Sequence, residues 1–204
     1  MSGNKIELRK QLRQKRRSLT EAQHRIAAGN LMVQLTQLQS VRDAGKIAMY
    51  LANDGEIDPV EVMKWCWSQG KSCFVPVVIQ TELNSLLFAQ ISESTEFVNN
   101  RYQIPEPVVE KEDLITADQL DLVLLPLVGF DGNGNRIGMG GGFYDTTFEF
   151  VKGQSIRKQQ LIGVAHELQR VESIDSQSWD IPLSTVVTDK GIYQTGFQSI
   201  REVE

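Results

Sequence analysis

The sequence predicts one α/β domain over residues 1–204, with a mostly parallel or mixed β-sheet between helices on both faces, in a Rossmann-like three-layer arrangement. Short apolar runs alternate with helical segments from residue 46 onward. The run Leu120–Val128 is the most apolar of them, which is typical of a central strand buried on both faces. No repeat, low-complexity tract or linker divides the 204 residues, which are enough for a substantial core.

The first part of the chain is predicted to form two helices. Residues 4–18 place Leu8 and Leu12 on one stripe of a basic helix. The segment Thr20-Glu21-Ala22-Gln23 has the form of a capping box, in which Thr and Gln side chains satisfy each other's backbone N–H groups. It opens a second helix. The apolar stripe of that helix consists of Ala27, Leu31, Leu35 and Leu38.

The rest of the chain alternates strands with helices. A helix is expected at Asp58–Gln69, with Pro59 in its first turn, where the missing N–H is harmless, and with Gly70 ending it. Another helix is expected at about residues 142–152. In such a sheet, ligands bind beyond the carboxyl ends of the strands. The predicted strands are Lys46–Ala52, Ser72–Ile79, Leu86–Ile91, Leu120–Val128, Gln160–His166, Thr185–Asp189 and a short run at Gly191–Thr195.

Composition and charge narrow the classes of function. A net charge of −5 argues against a nucleic-acid-binding surface overall, although seven basic residues and one acid lie between Lys5 and Arg17. The N-terminus is too charged for a signal peptide, and the longest apolar run, Leu122–Phe130, is far short of a membrane span. Cys66 and Cys73 lack a metal-type or redox-type spacing. We therefore expect a cytoplasmic protein that binds neither a membrane nor nucleic acid.

The most informative stretch is Phe130–Asp145, which reads F-D-G-N-G-N-R-I-G-M-G-G-G-F-Y-D. Its six glycines cost backbone entropy, so an ordered loop here needs a physical reason. One reason is close approach of backbone N–H groups to an anion, assisted by a helix N-terminus near Gly142 and by Arg136. That combination is typical of a nucleotide phosphate site. A glycine-rich hairpin without a ligand is the alternative.

Several named motifs do not fit this stretch. A P-loop needs Lys followed by Ser or Thr after its glycines, and no such pair follows them. The dinucleotide pattern G-x-G-x-x-G fails at its sixth position, which is Ile137 or Phe143 for the two starts tested. The D-x-N-x-N pattern that begins at Asp131 imitates a calcium loop, but Arg136 and Gly142 stand where that loop needs Gly and Glu.

The run Asn135–Asp145 strongly resembles the signature of the 5-formyltetrahydrofolate cyclo-ligase family, also called methenyltetrahydrofolate synthetases. The order and spacing of other segments agree with this family over nearly the whole chain, so the resemblance does not depend on the glycines alone. These segments are Lys5-x-x-x-Arg9, Tyr50-Leu51-Ala52-x-x-x-Glu56-Ile57, Ile104-Pro105-Glu106-Pro107, Pro126-x-x-x-Phe130-Asp131 and Gly163-Val164-Ala165-x-Glu167-x-Gln169.

The resemblance implies an activity. Enzymes of this family convert 5-formyltetrahydrofolate, with ATP and Mg²⁺, to 5,10-methenyltetrahydrofolate, ADP and phosphate. A formamide oxygen is a very poor leaving group, and its phosphorylation allows N10 of the same folate to close the ring. The protein must position the reactants and stabilise charge. The implied partners are 5-formyltetrahydrofolate and ATP, and we expect a monomer or a weak homodimer.

The resemblance also implies an ATP site that begins in the first helix. Lys5 and Arg9 would contact ATP from one face of that helix, one turn apart. A solvated basic helix is the alternative interpretation. The basic residues of this segment that are expected to face solvent are Lys10, Lys15, Arg16 and Arg17.

The stretch Arg136–Tyr144 would supply the rest of the ATP site and the catalytic residues. Arg136 is implied to make a charge-assisted contact with a phosphate. Tyr144 would hydrogen-bond a phosphate or the formyl oxygen, and packing of its ring is the alternative. The implied ATP-binding residues are Lys5, Arg9, Arg136, Ile137, Gly138, Met139, Gly140, Gly141, Gly142, Phe143 and Tyr144.

For folate, the resemblance implies Glu56, whose carboxylate can accept two hydrogen bonds from the pterin N3–H and 2-amino groups. Leu51, Met139 and Phe143 complete the implied substrate-binding set. A surface Glu beside core apolar residues is the alternative.

The best metal candidate is Asp145, because a carboxylate just past a phosphate loop can bind Mg²⁺ while phosphate oxygens fill other positions. A first-turn helix Asp favoured by the macrodipole is the alternative. Relatives often have a second acidic residue where this chain has Ser184, so a water molecule would replace that ligand.

Two other functions remain open at this point. A sugar-phosphate or acyl-CoA enzyme would use the same loop as an anion cradle, and an RNA- or partner-binding protein would use the basic helix at residues 4–17. Of the two histidines, His24 is expected on a solvent-exposed helix face. His166 is expected either to border the cleft or to have a structural role.

Overall fold

The described part of the chain contains five α-helices and eleven strands, with short 3₁₀ helices and loops between them. A computed structural model describes residues 2–78, 84–99, 105–152, 159–175, 177, 180–181 and 183–194; the predicted positions Ile79, Ile104 and Thr195 lie outside them. The helices are α1 (Ser2–Arg17), α2 (Glu21–Thr36), α3 (Gln39–Asp43), α4 (Val60–Ser68) and α5 (Phe143–Thr147). The strands are β1 (Lys46–Ala48), β2 (Ser72–Val78), β3 (Leu86–Ile91), β4 (Phe97–Asn99), β5 (Pro105–Pro107), β6 (Leu122–Pro126), β7 (Gly129–Phe130), β8 (Arg136–Ile137), β9 (Gln160–Ala165), β10 (Thr185–Thr188) and β11 (Ile192–Gln194).

Seven strands form one mixed sheet in the order β11-β10-β9-β6-β1-β2-β3. The four inner pairings are parallel, whereas both edge strands run antiparallel to their neighbours. The middle strand is β6, which is buried in all but its last residue, as predicted for the run Leu120–Val128. The expected mostly parallel α/β fold is confirmed.

Both faces of the sheet are buried, so the domain has three layers. Along β1, Ile47 packs into a cluster with residues of α2 and α4, whereas Ala48 packs into a second cluster on the opposite face. Leu124 and Leu125 alternate between the same two clusters in β6. The second cluster also includes Phe148, which follows α5. Because both faces are covered, the inner strands are apolar at consecutive positions rather than alternating with polar residues.

Helix α1 packs at the carboxyl end of the sheet. Its Leu12 is buried in a third, smaller cluster with Val128, Ile137 and Ile174. Val128 follows β6, and Ile137 belongs to β8, the strand that leads into the glycine loop. The packing therefore brings the basic helix to the edge of the sheet where ligands bind in parallel α/β folds.

The local signals for helix ends are confirmed. The Thr20 hydroxyl accepts a hydrogen bond from the Gln23 backbone N–H, and the Gln23 side chain accepts one from the Thr20 N–H, at 3.3 and 2.8 Å. Pro59 is the residue before α4, and Gly70 follows it with a φ of +70°. None of the described helices is both long enough and apolar enough to cross a membrane.

The structure corrects the sequence predictions at three places. β1 ends at Ala48 rather than Ala52, because the chain leaves the sheet for a turn in which Asp54 and Gly55 have φ of 55° and 74°. The helix predicted at 142–152 is the short α5 followed by a 3₁₀ turn at Glu149–Val151. The short elements α3, β4–β5 and β7–β8 had no sequence prediction.

Candidate active site

One cavity of about 1200 Å³ opens where β1, β2 and β6 end. Its apolar floor includes Val75, Leu125 and Leu127. The fold brings to this cavity every residue that the sequence analysis assigned to a site, and the role of each residue is still a prediction. These residues are Lys5, Arg9, Leu51, Glu56, Arg136, Ile137, Gly138, Met139, Gly140, Gly141, Gly142, Phe143, Tyr144 and Asp145.

The glycine loop, defined as residues 138–142, joins β8 to α5 and is solvent-exposed along its length. Arg9 Nε donates to the Gly138 carbonyl at 2.8 Å, and Asn84 Nδ2 donates to the Gly141 carbonyl at 3.1 Å. Gly140 has a φ of +97°, which residues with a side chain rarely adopt. Exposed main-chain amides in such a loop are able to bind phosphate oxygens.

The helix after the loop is shorter than expected. It begins at Phe143 behind Gly142, whose φ is +70°, and it contains five residues. A macrodipole is the sum of aligned peptide dipoles, so a helix of one turn contributes little to it. Anion binding at this end of the cavity therefore relies on loop amides and on cationic side chains more than on a helix N-terminus.

Arg136 and Asp145 are bonded to each other. Arg136 Nη2 lies 2.5 Å from Asp145 Oδ1, and Arg136 Nη1 donates to the Ile181 carbonyl. The Ile181 N–H donates to the same Asp145 oxygen at 3.0 Å. The Arg136 side chain is only 8% exposed. Burial lowers the pKa of Arg136, and the charges of Asp145 and Asp180 oppose that shift.

Glu56 lies in the turn after β1, defined as residues 53–56. Its Oε2 accepts a hydrogen bond from the Asn53 N–H at 3.1 Å, and its Oε1 lies 3.6 Å from Arg16 Nη2. Burial raises the pKa of Glu56, while Arg16 and the Asn53 N–H oppose the shift. The carboxylate is thus half-buried at the cavity wall, with a positive charge behind it.

The turn is bound to α1 through Asp54. Its carboxylate accepts hydrogen bonds from Arg13 Nε at 2.7 Å, from Arg16 Nη2 at 2.8 Å and from Arg17. Burial alone would raise the pKa of Asp54, but the hydrogen bonds from the three arginines lower it to about 2. An acid held by three arginines therefore stays ionised at neutral and mildly acidic pH.

The expectation that Arg16 faces solvent is wrong, because its side chain is fully buried. Lys10, Lys15 and Arg17 are exposed, as predicted. A signal was present in the sequence: Arg16 follows Leu8 and Leu12 at intervals of four residues, so it continues the stripe that packs inward.

Aromatic and apolar side chains complete the wall. The Tyr144 ring stacks on Phe148, with ring centres 6.5 Å apart and planes within 8° of parallel. Burial raises the pKa of Tyr144, and the charge of Glu56 raises it further. Leu51 and Phe143 are half-buried against the core, whereas Met139 is 52% exposed. The Tyr144 ring therefore does pack, and this does not exclude a role for its hydroxyl.

Asp131 has a structural role that sequence reasoning missed. This buried carboxylate accepts hydrogen bonds from the N–H groups of Asn133, Asn135 and Ile174, and from the Asn135 side chain, at 2.9 to 3.0 Å. The resulting turn closes the β7–β8 hairpin. The calcium-like spacing of D-G-N-G-N thus arises from an acid that caps its own turn, a pattern typical of Asp and Asn.

The segment after β9 supports the site from outside the cavity. Gln169 is buried, and its Nε2 donates to the carbonyls of Leu127 and Val128 at 2.7 and 2.9 Å. Glu167 accepts hydrogen bonds from the hydroxyls of Thr188 and Tyr193, both at 2.7 Å. The Gln169 bonds hold the segment that follows β6, which includes the floor residue Leu127, and the Glu167 bonds join this support to β10 and β11.

The two histidines lie against each other. Their ring centres are 5.2 Å apart. His24 is half-buried, so the prediction that it is solvent-exposed is wrong. Burial lowers the pKa of His166 to about 4, and the neighbouring His24 adds to the shift. His166 Nε2 has no hydrogen-bond partner in the described part of the chain. His166 packs behind the turn, close to Gly55 and Arg16.

Comparisons with known proteins agree with the sequence signature. The 5-formyltetrahydrofolate cyclo-ligase family profile matches residues 1–189. The 5-formyltetrahydrofolate cyclo-ligase of Escherichia coli (strain K12) is 36% identical over 183 residues, covering 90% of this chain and 99% of that protein. The protein of the same name from Haemophilus influenzae is 33% identical over 181 residues, covering 89% and 95%.

A solved structure shows the same fold. The 5,10-methenyltetrahydrofolate synthetase of Aquifex aeolicus superposes with a TM-score of 0.78 at 28% identity, covering 98% of this chain and 96% of that one. Signature, profile, sequence identity and fold agree over nearly the whole length. This chain therefore belongs to the 5-formyltetrahydrofolate cyclo-ligase family, whose members are ligases.

Proposed function

We propose that this protein cyclises 5-formyltetrahydrofolate to 5,10-methenyltetrahydrofolate, using ATP and Mg²⁺ and releasing ADP and phosphate. The names of its relatives support the reaction. The observation that carries the proposal is that the glycine loop and Glu56 line the same cavity. A phosphoryl donor and a folate must share one space if the terminal phosphoryl group is to reach the formyl oxygen.

The chemistry proceeds in two steps. The formyl oxygen attacks the γ-phosphorus of ATP, the bond to the β-phosphate oxygen breaks, and ADP leaves. N10 then attacks the activated formyl carbon and loses its proton, the carbon–oxygen bond breaks, and phosphate departs. Neither step needs a covalent bond to the protein, so positioning and charge stabilisation account for the catalysis.

At the ATP end, Lys5 and Arg9 supply positive charge beside the loop amides. Arg9 already holds the Gly138 carbonyl, so the residue that shapes the loop also lines the space for phosphates. Arg136 uses two of its nitrogens on Asp145 and Ile181. A guanidinium carries five N–H donors, so Arg136 can donate to a phosphate oxygen and keep its hydrogen bond to Asp145.

Asp145 is the residue that would hold Mg²⁺. Its Oδ1 takes the bonds from Arg136 and Ile181, and Oδ2 takes no part in either bond. Across the residues that the structure describes, no group of three or more acidic, His or Cys side chains forms a metal cage. A single carboxylate suits Mg²⁺, which usually keeps water and phosphate ligands. When bound, the ion would neutralise charge on the β- and γ-phosphates.

At the folate end, Glu56 would accept hydrogen bonds from the pterin ring, with Leu51, Met139 and Phe143 in apolar contact. Tyr144 lines the same cavity as Glu56, and its hydroxyl would hydrogen-bond the folate formyl oxygen or the phosphate transferred to it. The α1 arginines that would serve an RNA-binding surface are instead bonded to Asp54, and this weighs against that alternative.

An absorbance assay for the methenyl product tests the proposal. Purified protein with 5-formyltetrahydrofolate should form product only when ATP and Mg²⁺ are both present. Product without nucleotide, or none with it, would contradict the proposal, and binding of a sugar phosphate or CoA ester alone would favour the second enzyme class. The cytoplasmic location and the state as a monomer or weak homodimer stay predictions.

A further inference from the structure

The most unusual buried group outside the proposed contacts is the Arg16 guanidinium, which has no exposed surface. Its Nε donates to the Asp54 carbonyl at 2.8 Å, its Nη2 to the Asp54 carboxylate at 2.8 Å, and its Nη1 to the Leu127 carbonyl at 3.3 Å. Burying a charged group is costly unless it is paired and hydrogen-bonded, as here. These bonds join α1, the 53–56 turn and the segment that follows β6.

The turn is also pressed against the backbone of α1. A Cβ at Gly55 would lie 3.1 Å from the Arg16 carbonyl oxygen and 3.2 Å from the Arg17 Cα. Asp54 has a φ of 55°, the sole positive value for a non-glycine residue in the described ranges. Such a conformation costs free energy and persists where surrounding contacts hold it. The hydrogen bonds of Arg16 to Asp54 supply those contacts.

The positive charges near Glu56 both come from α1. Arg16 and Arg13 approach it from α1, and Asp54 lies beside it in the turn. Burial and the charge of Glu56 raise the pKa of Tyr50, in the segment after β1, and of Tyr144, in α5. Arg16 Nη2 is 3.6 Å from the Glu56 carboxylate. A carboxylate needs such a neighbour to stay charged when it is removed from water.

We propose that Arg16 is a positioning residue for folate binding: it holds the 53–56 turn in place and keeps the Glu56 carboxylate ionised at the cavity wall. The proposal rests on the proposed function, in which Glu56 binds the pterin ring. Only an ionised Glu56 accepts both pterin hydrogen bonds, because a protonated carboxyl presents a donor to one of them. Arg16 itself acts through Glu56 and needs no contact with the substrate.

The test compares Arg16→Gln with Lys15→Gln, which removes the same charge from the exposed side of the same helix. Binding of 5-formyltetrahydrofolate is measured by calorimetry without nucleotide, across a range from about pH 5 to pH 8. Arg16→Gln should bind at least about tenfold more weakly at neutral pH, since a displaced or protonated Glu56 loses a charge-assisted hydrogen bond to the pterin ring. Its loss of binding on acidification should begin at higher pH than in the wild type. Lys15→Gln should match the wild type.

A second measurement does not depend on folate. The Glu56 carboxyl carbon is titrated by NMR in the free protein, where Arg16→Gln should raise the Glu56 pKa and Lys15→Gln should leave it unchanged. If wild-type protein binds no 5-formyltetrahydrofolate, the proposed function is overturned, while the titration still decides whether Arg16 controls Glu56. A folded Arg16→Gln protein with wild-type affinity and a wild-type titration would overturn the positioning role.

Arg16→Lys covers the case in which Arg16→Gln does not fold. A lysine keeps the charge, but its single ammonium cannot bond the Asp54 backbone, the Asp54 carboxylate and the Leu127 carbonyl together. It should therefore raise the Glu56 pKa and weaken folate binding, by less than Arg16→Gln would. An Arg16→Lys protein that is indistinguishable from the wild type in both measurements would overturn the proposal.

Discussion

The 53–56 turn and the glycine loop are two parts of the wall of one cavity, and they are held in different ways. The turn is half-buried, seated on the backbone of α1 and hydrogen-bonded to three arginines. The loop is exposed and is held by side chains from Arg9 and Asn84. A rigid ring such as a pterin is best met by a preorganised contact, whereas a flexible triphosphate can order exposed amides as it binds. We therefore expect changes in the turn to act on stability and changes in the loop to act on nucleotide use.

The largest effect is expected for Asp54→Ala. It leaves Arg16 buried without its partner, and removing one member of a buried ion pair costs about 3–5 kcal/mol. The free energy of unfolding is measured with urea. Asp175→Ala, which removes an exposed acid from the same cavity, is the matched control and should change it by less than about 0.5 kcal/mol. Equal losses in the free energy of unfolding would mean that the contacts of the 53–56 turn stabilise the protein no more than those of the rest of the cavity wall.

Gly140→Ala tests the other side of the comparison. The φ of +97° disfavours any side chain there, so the loop should shift, and a misplacement of about 1 Å in a positioned reactant costs about 100-fold in rate. We expect this loss in kcat/KM for ATP with a nearly unchanged Tm. Gly138→Ala is the control for folding, because no described atom lies within 4 Å of its added Cβ and its φ is not positive. An unchanged kcat/KM for ATP in Gly140→Ala would place the loop outside the nucleotide site.

The buried His166, which packs behind the 53–56 turn, should make the stability of the protein depend on pH. Its pKa in the folded protein is lowered to about 4, so the unfolded chain binds a proton that the native state does not between that pH and about 6.5. Stability should therefore fall as pH drops through this window, by about 3 kcal/mol in total, because one pKa unit corresponds to about 1.4 kcal/mol. His166→Gln should remove that slope. His24→Gln should keep most of it, because burial rather than His24 is the main cause of the shift. A wild-type slope in His166→Gln would show that a group other than His166 causes it.

Local signals explain what was predictable. The strands, the helix caps and the glycine loop each depend on residues within a few positions of one another, and these predictions agree with the structure. The position of the cavity was predicted from the general rule that ligands bind beyond the carboxyl ends of parallel strands, together with the family resemblance. The early end of β1 was missed, because a turn with positive φ at Asp54 contradicts the propensity of the apolar residues before it.

Contacts between distant residues could not be predicted in the same way. Arg16 and Asp54 are 38 positions apart, and a charge on a helix is usually solvated, so only the stripe of Leu8 and Leu12 hinted at burial. The bond between Arg136 and Asp145 was missed for a different reason. The sequence analysis assigned Arg136 to a phosphate and Asp145 to a metal ion. The two residues have opposite charges and are nine positions apart, so they can also form an ion pair with each other when no ligand is bound.

Glu56→Gln separates recognition by the turn from its stability. The amide keeps the shape of the carboxylate but presents N–H groups to the pterin donors, so folate affinity should fall by about tenfold or more. ATP affinity should change little, since the loop is unaffected. Calorimetry with each ligand measures both values on the same protein. Unchanged folate affinity would remove Glu56 from the pocket and leave the turn with only a structural role.

The smallest effect is expected for Arg9→Ala. Arg9 holds the loop through the Gly138 carbonyl and lines the cavity at the proposed phosphate end, so its loss should raise the KM for ATP by about three- to tenfold and that for folate much less. Lys10→Ala removes a neighbouring exposed charge from the same helix and should leave both KM values unchanged. High salt should reduce the difference between Arg9→Ala and the wild type, because the site is open to solvent. If the KM values for ATP and for folate rose equally, Arg9 would affect both ligand sites through α1. The 53–56 turn and the glycine loop would then not be independent parts of the cavity wall.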